Sequence, residues 1–252
     1  MQRKPGGEFS VRIAGGLIGC VALLAWGCRS LPVPETRDEL DLHPLAARVA
    51  DPELVRRIES AALTLLPVDA WPAERFLRQR VRIEWDGGSE SFDAVLQRRP
   101  GELSLIGLGP MNLVGFRLAL LAADPGSGGP DELEFENHSG RELPFSPTHI
   151  LADVQRVFYP WLLEGAACGD CERNGRRGSV AVFEKLAGDR LVERRFEIPS
   201  DPEAGSVRIR YADWQGDPAV PREVVIGNGW FGYRITIETL ESLDTTEPAT
   251  AD

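Results

Sequence analysis

Two cysteines three residues apart, Cys168-Gly-Asp-Cys171, form the only local cysteine pair beyond residue 28. That spacing serves a redox dithiol, half of a zinc site or a disulfide. A thioredoxin-like dithiol needs a βαβ frame, which this strand-rich chain lacks, and zinc needs two further ligands. Gly165, Gly169, Asn174, Gly175 and Gly178 mark a long hairpin tip around the pair. The pair therefore reads as a disulfide clipping that tip in an oxidising compartment, or as two unpaired thiols if the spacing strains the bond. His43, His138 and His149 are the only histidines. His138-Ser139 are neighbours in a loop rather than a nucleophile and its base, and no Gly-x-Ser-x-Gly elbow occurs. Asp153 can serve as a binding or catalytic carboxylate, but a rim salt bridge to one of the many arginines is the favoured use. No catalytic residue, metal ligand or cofactor is assigned.

Asp153 belongs to residues 146–161, SPTHILADVQRVFYPW, a helix signal among strand signals. Ser146 suits an N-cap and Pro147 the first helical position, while Tyr159-Pro160 supplies the stop. Ile150, Leu151, Val154, Val157, Phe158 and Trp161 recur at helical spacing along one stripe, with Arg156 opposite. By that geometry Asp153 and Gln155 lie on the two edges of the stripe, as rim polar groups.

Around this helix the period is two. Val81, Ile83 and Trp85, then Phe92, Ala94 and Leu96, flank the turn Asp86-Gly87-Gly88 as a hairpin. Residues 103–108, 114–121 and 133–137 continue the meander. After the helix come 180–186, 190–198, 207–211, 224–226 and 230–240, most of them bounded by Gly, Pro or Asp. In the last strand Phe231, Tyr233, Ile235 and Ile237 share one face, and Arg234, Thr236 and Glu238 the other, with Arg234 counted among the rim polar groups. An earlier amphipathic helix starts at Asp51-Pro52-Glu53, carries Leu54, Val55, Ile58, Ala61, Ala62 and Leu65 on one face, and ends at Leu66-Pro67.

The first segment is basic on balance, and residues 13–28 are uncharged and apolar, the pattern of a signal peptide. That run is short of the roughly 20 residues a spanning helix needs. Cleavage before Cys28, within Ala25-Trp26-Gly27-Cys28, is favoured over Leu17-Ile18-Gly19-Cys20, because cleavage at Cys20 leaves residues 21–26 apolar at the new terminus. An ordinary secretory signal with incidental cysteines is the alternative. The expected organisation is a signal peptide at 1–27, a lipidated tether at 28–50, one domain at 51–243 and a polar tail at 244–252. Lipidation of Cys28 would anchor the chain without spanning, since several acyl chains each contribute about 0.8 kcal/mol per buried CH₂. With 28 Lys+Arg against 39 Asp+Glu the formal charge is -11, and nucleic acid is disfavoured as a partner.

Three segments resemble a family of bacterial lipoproteins of unknown function, often found beside aryl polyene pigment genes. Leu103-Ser-Leu-Ile-Gly-Leu-Gly-Pro followed by Phe116-Arg-Leu looks like the family's paired central strands. Ile150-Leu-Ala-Asp-Val-Gln through Tyr159-Pro160 looks like its helix motif, and Phe231-Gly-Tyr-Arg-Ile-Thr-Ile-Glu-Thr-Leu240 like its closing strand. The resemblance covers residues 58–241. Arg156, Met111-Asn112 and the loop at 165–178 depart from the pattern.

The resemblance implies an α+β fold similar to the lipoprotein carriers LolA and LolB: a strongly curved antiparallel half-barrel with two main helices, one inserted mid-chain. It also implies a cell-envelope location. Arg29 after the anchoring cysteine points to the outer membrane, facing the periplasm. Under that fold the apolar stripe becomes a set of ligand-cavity candidates: Ile150, Leu151, Val154, Phe158, Trp161, Phe231 and Tyr233. The expected function is non-enzymatic binding or transfer of a hydrophobic acyl or polyene-type molecule, with the membrane as partner through the anchor. The alternative is an interaction subunit with a filled core, whose protein partner the sequence does not name.

Overall fold

The computed structural model describes residues 51–71, 74–124, 129–140, 143, 145–162, 169–188, 190–216 and 219–243. The expected signal peptide, the anchor Cys28, the tether and the tail lie outside the described residues, as does Cys168.

Eleven strands form one antiparallel sheet: β1 (Arg75–Trp85), β2 (Gly88–Arg99), β3 (Glu102–Leu108), β4 (Val114–Leu121), β5 (Glu132–Asn137), β6 (Cys171–Arg177), β7 (Val180–Ala187), β8 (Arg190–Glu197), β9 (Ser206–Gln215), β10 (Val220–Asn228) and β11 (Tyr233–Leu243). Among the described residues two α-helices accompany them, α1 (Pro52–Ala62) and α2 (Pro147–Phe158). The spatial order is β5-β4-β3-β2-β1-β11-β10-β9-β8-β7-β6, so two meanders join where β1 pairs with β11. The edges are β5 and β6, the strands on either side of α2 in sequence, and the curved sheet holds α2 against its inner face. This is the α+β architecture the alternating pattern predicts.

Each strand shows why. In β1, Leu77, Val81 and Ile83 are buried while Arg80 and Arg82 are exposed, and in β11, Tyr233, Ile235 and Ile237 are buried while Arg234, Thr236 and Glu238 are half-buried. Period-two alternation places one set on the core and the other towards water. Cross-strand charge pairs such as Arg80 with Asp93 line the outer face. Gly107 has no side chain because the ring of Phe116, directly opposite on β4, covers it; a Cβ there would lie 2.1 Å from the ring.

Three elements differ from the sequence expectation. The final strand begins at Tyr233 rather than Trp230, because Asn228 Oδ1 accepts the Trp230 and Phe231 amides and Gly232, at φ 65°, completes a tight turn. Part of the expected hairpin tip is a strand, β6. It is polar and lies at the sheet's edge, so it lacks the apolar alternation by which an inner strand is recognised. Helix α1 starts as expected, with Asp51 accepting the amides of Glu53 and Leu54, but it stops at Ala62 instead of Leu66.

The last bond of α1 runs from the Leu63 amide to the Glu59 carbonyl. A helix reaching Leu66 would bond the Leu66 amide to the Ala62 carbonyl. Instead Arg156 Nη2 donates to the Ala62 carbonyl at 2.8 Å, and Gln155 Oε1 accepts the Leu66 amide at 2.7 Å. Side chains of α2 thus satisfy both groups that an α1 extended to Leu66 would have paired with each other.

Candidate functional site

Helix α2 is capped as its sequence predicts. Ser146 accepts the His149 amide at 3.3 Å, Pro147 opens the first turn, and the extended backbone of Tyr159 before Pro160 ends it. Its polar residues are not where a single amphipathic stripe puts them. Asp153, Gln155 and Arg156 are 2%, 1% and 2% exposed, and every residue from Leu151 to Val157 is buried. This corrects the rim placement of Asp153 and Gln155 and the outward placement of Arg156. The sheet encloses the helix on one side and the chain leaving α1 on the other, so two faces are covered where one apolar stripe implies one.

Burial of these groups is compensated by bonding. Asp153 accepts from Arg156 Nη1 and from the Tyr233 hydroxyl, each at 2.5 Å, and from Asn228 Nδ2 at 3.2 and 3.3 Å. The Arg156 guanidinium lies over the Trp230 ring, 4.9 Å from its centre. Gln155 clamps Leu66 from both sides, its Nε2 donating to the Leu66 carbonyl at 2.8 Å. The predicted salt bridge of Asp153 to an arginine exists, but inside the protein and with a residue of the same helix. Arg234, the third expected rim group, is half-buried on β11.

At the C-terminal end of α2 the exposed carbonyls carry the negative pole of the helix. Arg194 Nη1 donates to the carbonyls of Arg156 and Val157 at 2.6 and 3.2 Å, and the Tyr211 hydroxyl donates to Val157 at 3.0 Å. Burial pushes the Tyr211 hydroxyl up to about 12, so it keeps its proton. Arg194 also belongs to a ladder running across three strands. Glu184 on β7 accepts Arg194 Nε and Nη2 with Oε1, each at 2.7 Å. With Oε2 it accepts Arg173 Nε and Nη2 from β6 at 2.7 and 2.6 Å.

Beyond this end of the helix is a cavity of about 360 Å³, within the range of small-molecule sites. Its floor is buried: Leu77, Val157, Tyr211 and Val220. Phe158, Leu191 and Trp214 form partly exposed walls, and Arg75, Arg173 and Arg194 supply its charged lining. Trp71 stacks on Phe158 with ring centres 5.7 Å apart and planes 8° from parallel. Arg98 fixes it from behind, with Nε donating to the Trp71 carbonyl at 2.9 Å and Nη2 reaching Asp69 at 3.1 Å. Trp214 faces the cavity because Asp213, at φ 52°, interrupts the alternation of β9, so that Tyr211 and Trp214 turn the same way. The Trp214 indole donates to the Leu191 carbonyl at 3.1 Å.

Of the seven cavity candidates read from the sequence, Phe158 lines this space. Leu151, Val154 and Tyr233 are buried in the core, and Ile150 packs against it. Phe231 stacks on His149, ring centres 4.1 Å apart, at the other end of α2. Trp161 meets Phe196 edge-on and donates to the Gln155 carbonyl at 2.8 Å. The contributions of Trp71, Tyr211 and Trp214 were not legible as a site. They come from two segments about 140 residues apart in sequence, Trp71 and the strand β9 that carries Tyr211 and Trp214, and a left-handed aspartate two residues after Tyr211 is the one local hint.

No nucleophilic arrangement forms around the two described histidines, His138 and His149. Ser139 Oγ donates to Asn137 Oδ1 at 2.7 Å, while His138 Nε2 faces Glu136 at 3.3 Å. His149 Nε2 lies 3.2 Å from Glu59, and burial lowers its pKa although the Glu59 charge opposes the shift. Among the described residues no group of three His, Cys, Asp or Glu side chains is placed to hold a metal ion. No described helix is long and apolar enough to cross a membrane. Cys171 is disulfide-bonded, and the other three cysteines all lie outside the described residues.

A family model described as "Protein of unknown function (DUF3261)" matches residues 76–241. No curated protein matches the chain. Among solved structures, the chain is similar to an outer membrane lipoprotein-sorting protein domain from Vibrio parahaemolyticus, with 9% identity and a TM-score of 0.43 over 77% of this chain and 92% of that one. A DUF1329 family protein from Desulfovibrio piger gives 14% identity and a TM-score of 0.44 over 81% and 94%. A LolA superfamily protein from Nitrosomonas europaea gives 12% and 0.40 over 77% and 94%.

Proposed function

The chain belongs to the DUF3261 family of unknown function, and we propose that it is a non-enzymatic envelope lipoprotein that binds or passes on a hydrophobic molecule of acyl or polyene type. The observation that carries this reading is the cavity at the end of α2. Buried aliphatic groups and Tyr211 floor it, aromatic rings wall it, and among the described residues no Asp or Glu lines it. Aromatic and aliphatic walls favour an apolar guest because its transfer from water is favourable by about 25 cal/mol per Å² of apolar surface buried.

In this proposal the chain is exported by residues 1–27, acylated at Cys28 and tethered through residues 28–50, so that the domain at 51–243 works at the membrane surface, facing the periplasm from the outer membrane. Cys168 is the proposed disulfide partner of Cys171, closing the start of β6.

The test is organic extraction of the purified full chain carrying Cys28→Ala, followed by mass spectrometry. A co-purifying hydrophobic compound, lost when Leu191→Trp fills the cavity, is expected. Recovery of a stoichiometric protein partner with no such compound would instead support an interaction subunit, and hydrolysis of test esters abolished by a single side-chain change would support an enzyme.

A further inference from the structure

The cavity is apolar in its walls and cationic in its charge. Three arginines, Arg75, Arg173 and Arg194, line it, and among the described lining residues there is no carboxylate. The nearby Glu184 is fully buried, with one oxygen engaged by Arg194 and the other by Arg173. One carboxylate between two guanidiniums leaves one net positive charge on the ladder. Arg194 is deeply buried and also donates to the end of α2, whereas the Arg173 side chain is 32% exposed and bonds Glu184 through only its Nε and Nη2. The surplus charge is therefore presented at Arg173, on the accessible side of the ladder.

This arrangement bears on what the cavity accepts. A wholly apolar guest would strip water from Arg173 and return nothing, which is costly for a charge. A guest that carries its own anion replaces the lost water with charge-assisted bonds, and a guanidinium fork matches carboxylate and phosphate oxygens. The protein as a whole is acidic, at -11, so this preference is local and not a consequence of net charge.

We propose that the cavity selects an anionic amphiphile, a single apolar chain among the aromatic rings with a carboxylate or phosphate head paired to Arg173. The proposal rests on the hydrophobic-binding reading and names its ligand class. It is tested with the full chain carrying Cys28→Ala, by displacement of the neutral fluorescent probe N-phenylnaphthylamine with dodecanoate, dodecyl phosphate, dodecanol and dodecyltrimethylammonium, all below their micelle concentrations. Both anions should bind about tenfold or more tighter than dodecanol, the effect of one or two charge-assisted hydrogen bonds. Their relative order then separates a fatty-acid head from a phosphate head.

Arg173→Gln should bring the anions close to dodecanol while leaving dodecanol unchanged, and Arg173→Lys should retain part of the preference. If Arg173→Gln does not fold, the comparison of heads on the chain with native Arg173 still decides. Equal binding of all four heads, or tighter binding of the cation, would overturn anion selection and leave the hydrophobic-binding reading standing. Failure of the probe and of every dodecyl compound to bind would remove both.

Discussion

Tyr233 donates its hydroxyl to Asp153 across 2.5 Å, joining the first residue of β11 to the middle of α2 over 80 positions of sequence. Both residues are buried, and Arg156 balances the carboxylate from the next turn of the helix. Burial first, then the Asp153 charge, raises the Tyr233 pKa well above 10, so the proton stays on tyrosine and the bond keeps its direction. Helix, closing strand and the chain leaving α1 therefore meet at one charge-compensated point.

Removing one member should be worse than removing two. Asp153→Ala strands Arg156 as a buried charge and should cost about 3–5 kcal/mol, and Arg156→Ala should cost a similar amount by stranding Asp153. The paired change Asp153→Leu with Arg156→Met should recover most of that loss. Urea unfolding of the three variants checks this, and equal losses for single and paired changes would contradict it.

Gln155 satisfies both backbone groups of Leu66, so Gln155→Ala leaves two buried polar groups without partners. At about 1–3 kcal/mol for each such group, the expected loss is about 2–6 kcal/mol. Amide hydrogen exchange at Leu66 should accelerate more than at Leu54, which lies in the helix proper.

Phe158 and Phe196 separate cavity from core. Phe196 is fully buried, and Phe196→Ala should cost about 3–5 kcal/mol while leaving probe binding unchanged. Phe158 is half-buried against Trp71 and already borders open space, so Phe158→Ala should cost about 1–2 kcal/mol, near the worth of an aromatic pair. It should also weaken binding of the neutral probe. Thermal melts and probe titrations of both variants read the two effects independently.

His149 should give the fold a mild acid sensitivity. Its folded pKa is below the unfolded value of 6.5, chiefly through burial, so the unfolded state binds the proton more readily. The contribution is complete above pH 6.5 and is lost as pH falls through the folded pKa. His149→Gln should flatten stability against pH below 6.5, read by urea unfolding across that range.

The anchor makes a separate prediction. Incorporation of labelled palmitate should disappear in Cys28→Ala and persist in Cys20→Ala, and the reverse pattern would move the processing site to Cys20.

Element order was legible because its causes are local. Asp51-Pro52 and Ser146-Pro147 cap their own helices, and alternation in β1, β4 and β11 needs only neighbouring residues to declare a strand with one dry face. The reading failed where a neighbour from elsewhere decides. Nothing near Leu66 announces that Gln155 and Arg156 will bond the Leu66 amide and the Ala62 carbonyl, and nothing near Arg156 announces a second covering for the face opposite the apolar stripe. Sequence by itself determined the strands other than the polar edge strand β6, the two helices and the single face that must leave water. Only the tertiary structure decided that α2 is clasped on both sides and that Trp71, Tyr211 and Trp214 converge on one cavity. It also brought the Arg173–Glu184–Arg194 ladder of three consecutive strands to the end of α2, because which part of a sheet meets a helix distant in sequence is set by packing rather than by the residues next in the chain.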